Sequence, residues 1–124
     1  MTMTYDLFKT AKGHTVVRIV SSDDVTADQA NKLNADMAAG AKFANLPILA
    51  LVEPGANFSP EARKAFTSQQ GGATNPVAIV VNSAPLRVML TFIIRISGAA
   101  AATRFFSSEA DAQAWLDEKL QAPR

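Results

Sequence analysis

The chain has 124 residues, 48% hydrophobic and 19% charged, with a formal net charge of +1 and no cysteine. This is the length and composition of one ordinary globular domain, which excludes a disordered chain, a disulfide scaffold and any cysteine-based catalysis or zinc site. A net charge so near zero leaves no electrostatic footprint for nucleic acid or an acidic membrane surface.

The opening Met-Thr-Met-Thr-Tyr-Asp-Leu-Phe-Lys has no basic stretch followed by an apolar core, so it does not read as a secretory signal. Residues 5–10 and 15–20 are short runs rich in β-branched and aromatic side chains, separated by Ala11, Lys12, Gly13 and His14. That pattern predicts a hairpin with Gly13 supplying the turn. Ser21 to Asp24 read as a loop. Thr26 opens a helix with Gln29 in the capping-box position, and Ala30, Leu33, Met37, Ala38 and Ala41 recur along it at helical spacing. Its end is expected near Gly40 to Ala44.

Residues 47–52, Pro-Ile-Leu-Ala-Leu-Val, form a continuous apolar run, the pattern of a strand buried on both faces, and Glu53-Pro54-Gly55 ends it. Ser59-Pro60-Glu61 is a helix start: an oxygen-bearing cap, proline in the first turn and an acid beside it. That helix is expected to bury Ala62, Ala65 and Phe66 and to stop at Gly71-Gly72. Residues 77–81 form a second buried strand, and Asn82 to Pro85 lead into an apolar helix ending at Gly98. Residues 103–106 read as the last strand. Ser108 then caps a final helix with Asp111 three residues on, anchored by Trp115, Leu116 and Leu120, before a frayed tail.

The expected order is β-β-α-β-α-β-α-β-α in a single α/β domain over residues 1–124. Strands alternating with helices imply a mostly parallel sheet with right-handed crossovers, and the opening hairpin adds an antiparallel edge.

The helix over residues 86–96 is more apolar than one buried face requires. Arg87, Thr91 and Arg95 are its only polar residues, and their spacing of four confines them to one stripe. The other side chains cover an apolar arc of roughly 240°, where a single packed face uses about 100–140°. Either neighbouring helices widen the covered arc, or part of this face meets a partner. The partner would be a second copy of the chain, another protein or an apolar small molecule such as a lipid. Self-association would use Val88, Met89, Phe92, Ile93 and Ile96, with Arg87 and Arg95 at the rim, where arginine is common in interfaces. A membrane span is not expected from residues 77–96, since Pro85 divides the run and both arginines would be costly in hydrocarbon. The protein is expected to be soluble and cytoplasmic.

The early hairpin, the segment Ile-Leu-Ala-Leu-Val-Glu-Pro-Gly-Ala-Asn-Phe-Ser-Pro-Glu-Ala-Arg, the strand Pro-Val-Ala-Ile-Val-Val and the ending Thr-Arg-Phe-Phe-Ser-Ser-Glu-Ala-Asp-Ala-Gln-Ala-Trp-Leu together resemble the bacterial STAS-like domains. This group is similar to anti-sigma-factor antagonists. The resemblance spans nearly the whole chain and implies a small α/β domain that works by protein–protein contact. In the best-known members a kinase phosphorylates a serine, in an Asp-x-Ser-type signature, at the start of the helix after a central strand. Here Glu53 stands near the expected acid with no serine two residues on, and the nearest serine is Ser59. A related branch of the fold binds lipids or other apolar ligands.

Ser59 therefore carries two readings, a simple helix cap and a regulatory phosphorylation site. The carboxyl ends of the strands, with Ser21 to Asp24, Glu53 to Asn57, Asn82, Ser83, Ser107 and Ser108, form the rim where open α/β sheets collect ligands. His14, the only histidine, reads as an exposed turn residue with no partner near it in sequence. Gly71-Gly72 follows a helix instead of opening one, so it is no phosphate loop, and Asp23, Asp24 and Asp28 lack calcium-loop spacing. Trp115 reads as core. No catalytic, cofactor or metal constellation is expected, and the implied function is a non-enzymatic regulatory contact module that self-associates as a homodimer through the helix over residues 86–96, with a carrier or sensor of an apolar ligand as the alternative.

Overall fold

The computed structural model describes residues 3–36, 46–67, 76–97 and 102–120. In chain order the elements are β1 (Met3–Lys9), β2 (Thr15–Ser21), β3 (Asp24–Val25), α1 (Ala27–Asp36), β4 (Ile48–Val52) and β5 (Asn57–Phe58). There follow α2 (Pro60–Thr67), β6 (Val77–Val81), α3 (Ala84–Ser97), β7 (Thr103–Phe106) and α4 (Glu109–Leu120). The five longer strands form one sheet in the order β1-β2-β4-β6-β7, parallel except for the β1–β2 hairpin. Gly13 holds the hairpin turn at φ 88°, a left-handed conformation that a Cβ would strain.

Two short strands were not expected. Asp24–Val25 and Asn57–Phe58 pair in parallel as a second, two-stranded sheet, and Ser21 belongs to β2 instead of the loop after it. Asp23 bridges the two sheets at φ 51°, with its carbonyl accepting the Asn57 N–H at 2.6 Å.

After β2, every crossover moves one place in the same direction across the sheet. Right-handed crossovers that never reverse direction put their helices on one face. That places α1, α2 and α3 on one side and leaves the other to α4. The period-two alternation of the strands sorts the core accordingly. Val17, Ile19, Val52, Ile79 and Val81 pack with Ala30, Leu33, Ala62 and Leu90 of the three crossover helices. Val16, Leu49 and Ala78 pack with Ala112 and Leu116 of α4.

Three expected caps form: Thr26 and Gln29 exchange bonds of 3.4 and 3.2 Å, Ser59 Oγ accepts the Ala62 N–H at 3.0 Å, and Ser108 Oγ accepts the Asp111 N–H at 3.2 Å. Ser83 Oγ caps α3 in the same way, accepting the Leu86 N–H at 3.4 Å. The expected roles of Met37, Ala38 and Ala41, the helix stops at Gly40, Gly71-Gly72 and Gly98, and the tail lie outside the described residues, as does the side chain of Phe66.

Candidate functional site

α3 is the last of the three helices on its face. It packs on α2, and α2 in turn packs on α1, so α3 stands at the end of the row. A terminal helix buries one side against the sheet and its neighbour and shows the other to solvent. Leu90 and Ile93 are buried, and Leu86, Met89 and Ile94 pack against the same core. Val88, Phe92 and Ile96 stand 71%, 64% and 53% exposed. At intervals of four residues they lie along one side of the helix.

The arrangement corrects the expected set. Ile93 is buried in the core and Met89 is half-buried against it, while Val88, Phe92 and Ile96 form the exposed line. The wide apolar arc thus has two uses, roughly half for the core and half for solvent. Beside the stripe, Arg87, Thr91 and Arg95 share a rim. The Arg87 guanidinium lies 5.2 Å from the centre of the Phe105 ring, a cation–π contact that holds it on β7. The Thr91 hydroxyl donates to the Arg87 carbonyl at 2.7 Å, one turn back, and so offers no free proton outward. Ala84, Arg87, Val88, Thr91, Phe92 and Arg95 line an open groove of about 460 Å³. Ala84 and Thr91 were not anticipated as part of this surface; the spacing Ala84, Val88, Phe92 was the available signal. α3 carries no acidic residue, and among the described residues no carboxylate pairs with either arginine.

A second polar constellation was not legible in the sequence. His14 is half-buried and its Nδ1 lies 2.7 Å from Asp117 Oδ1, so the expectation of an exposed, partnerless turn histidine fails. Asp117, buried in α4, also accepts from the Thr10 hydroxyl and, at 3.3 Å, from the Lys12 N–H. Burial pushes its carboxyl up, but the hydrogen bonds from His14 and Thr10, with the Lys12 N–H, outweigh that and hold it below the usual carboxylate range. Because an ionised carboxylate only accepts, His14 Nδ1 carries the proton. Thr10 bonds the aspartate and not the imidazole, so among the described residues no hydroxyl is set against an imidazole nitrogen as a nucleophile–base pair requires. The cluster is a clamp joining hairpin turn to last helix.

The strand-end rim is occupied by its own bonds. Glu53 N–H donates to the Ser21 carbonyl at 2.9 Å, Asn57 Nδ2 to Asp24 at 3.2 Å, Ser59 N–H to the Val25 carbonyl at 3.1 Å, and Asn82 Nδ2 to the Ser107 carbonyl at 3.1 Å. Ser59 is half-buried with its Oγ engaged as the cap of α2. Trp115 is half-buried at the margin of the α4 core, 5.6 Å from the Phe106 ring. Among the described residues, no group of three or more His, Cys, Asp or Glu could hold a metal ion, and no helix is long and apolar enough to cross a membrane.

Residues 9–120 match the model of a domain of unknown function, DUF7793, and the chain belongs to that family. No curated protein matches it. Among solved structures, it is similar to an uncharacterized protein of the DUF3478 family with a SpoIIAA-like fold from Shewanella loihica PV-4. The TM-score is 0.57 over 93% of each chain, at 15% sequence identity. The shared property is the fold, the α/β arrangement expected from the STAS-like resemblance.

Proposed function

We propose that this member of the DUF7793 family is a non-enzymatic, regulatory contact module that works through the outer face of α3. One observation carries the reading. Of the four large hydrophobic side chains that stand exposed among the described residues, three lie along that one helix. Single exposed apolar residues are ordinary, whereas a contiguous apolar line rimmed by polar groups marks an interaction surface. The STAS-like resemblance points the same way, since the best-known members act by contact and not by catalysis.

The partner is either a second copy of the chain, as a dimer, or a different protein. Native mass spectrometry and sedimentation at several concentrations distinguish these. A dimer that Phe92→Glu dissociates, with the circular dichroism unchanged, identifies the second copy. A mass increased by a few hundred daltons on the purified chain replaces the contact reading with that of an apolar-ligand carrier. Phe92→Glu unfolding the chain overturns the surface reading outright.

A further inference from the structure

We infer that the outer face of α3 fits an acidic amphipathic helix of another protein, one that lays apolar side chains along Val88, Phe92 and Ile96 and sets carboxylates against Arg87 and Arg95. The inference rests on the reading of α3 as a contact face and names its partner.

Charge argues against a second copy. α3 presents two arginines and no acid, both on the same side of its apolar line. In a two-fold pair laid antiparallel about Phe92, the symmetry returns both arginine rims to one side of the seam. Arg87 of one copy then stands about 3 Å along the axis from Arg95 of the other, at 1.5 Å per residue. A parallel pair separates the rims but aligns the two helix dipoles side by side. Like charges placed together across an interface select against that pairing. A partner bringing carboxylates meets the same rim favourably, and the planar guanidinium suits bidentate pairing.

Shape argues for a helix. From Ala84 to Arg95 the groove spans 12 residues of a single helix, ~16 Å over 11 rises of 1.5 Å, and is open to solvent. A small ligand is normally buried over roughly 70–90% of its surface, which a groove on one helix does not achieve. A helix laid alongside needs only a line of anchors at intervals of three and four residues. A membrane surface is a poorer match: two arginines fall well short of the clusters of about 4–8 basic residues that bind anionic lipid.

The test uses the full chain and two synthetic helical peptides of about 18 residues, long enough to be helical in isolation. Each carries leucines spaced to face Val88, Phe92 and Ile96. One is flanked by glutamates and its twin by lysines. By fluorescence anisotropy at low salt, the glutamate peptide is expected to bind about tenfold tighter than the lysine peptide, with the ratio shrinking as salt rises. Arg95→Glu should largely cancel the preference, the double variant Arg87→Glu with Arg95→Glu should reverse it, and Phe92→Ala should weaken both peptides. Equal binding of the two peptides overturns the inference and leaves the contact reading standing. So does a dimer that Phe92→Glu dissociates, which assigns the face to a second copy. Binding to phosphatidylglycerol vesicles that Phe92→Glu abolishes, with neither peptide bound, assigns it to lipid. A monomeric chain that binds neither peptides nor vesicles overturns the inference and the contact reading together.

Discussion

His14 Nδ1 and Asp117 Oδ1 lie 2.7 Å apart although 103 residues separate them in the chain. Through this pair the turn of the first hairpin is fastened to the last helix, so the two ends of the domain close on each other. Three donors from the turn, Thr10 Oγ1, the Lys12 N–H and His14 Nδ1, converge on one buried carboxylate.

Removing that acceptor leaves the buried Thr10 hydroxyl and the half-buried His14 Nδ1 without it. Asp117→Ala is expected to cost about 3 kcal/mol, the penalty for unsatisfied buried groups added to the lost charge-assisted bonds. Asp117→Asn keeps an acceptor and should cost less. Urea unfolding of the three proteins checks the order. Equal stability of wild type and Asp117→Ala would show that the clamp contributes nothing.

The same carboxylate sets part of the acid sensitivity. Its folded-state pKa lies below the ordinary value of 3.8. The Arg18 hydrogen bond likewise holds Glu109 below 4.5, against the opposing effect of burial. For a depressed carboxylate, the stabilisation is fully present above the unfolded value and is lost as pH falls through the folded one. Stability should therefore be flat above about pH 5 as far as these groups are concerned, and decline below it. In Asp117→Asn the decline should be shallower, which thermal melts across the acid range will read.

Tyr5 gives the alkaline counterpart. Burial, the hydrogen bond it donates to Asp36 at 2.6 Å and the charge of that carboxylate push its phenol up from 10.0 to about 12. A raised pKa means the contribution is whole below pH 10.0 and is lost as pH rises towards 12. Because Tyr5 is the only tyrosine, ultraviolet difference absorbance follows it alone. The midpoint should fall towards the ordinary value in Asp36→Asn, and an unmoved midpoint would discount the Asp36 contact.

Phe92 and Ile93 are sequence neighbours with opposite surroundings, 64% and 7% exposed. Phe92→Ala should change stability by no more than about 0.5 kcal/mol, whereas Ile93→Ala should cost about 2–5 kcal/mol through lost burial and the cavity left behind. Denaturant midpoints of the pair test the placement of α3 directly. Comparable losses would put Phe92 in the core.

At Ser59 the cap accounts for the side chain. Ser59→Ala is expected to cost ~1 kcal/mol, while Ser59→Asp, which can accept the same Ala62 N–H, should stay within a few tenths. Thermal melts of both variants decide it; a large loss in Ser59→Asp would mean that the pocket around the cap rejects a charge.

Local chemistry made much of the fold legible. The apolar runs of β4 and β6, the caps Thr26, Ser59 and Ser108, and Gly13 each act within a few residues, so the order of the longer elements, the parallel sheet and its antiparallel edge follow from local pattern and the crossover rule. The excess of apolar surface on α3 was equally plain, because an arc that wide is a property of periodicity. Tertiary structure decided how that arc is divided. Only the uniform direction of the crossovers makes α3 the end of its row, turning Met89 and Ile93 inward and Val88, Phe92 and Ile96 outward. The β3–β5 pair was hidden for a related reason, since two-residue strands carry no period to detect. The Asp117 clamp was hidden most completely. One of two aspartates among the polar residues of α4, Asp117 looks like any solvated charge, and only closure of the chain on itself brings the Thr10–His14 turn over it and shields it from water.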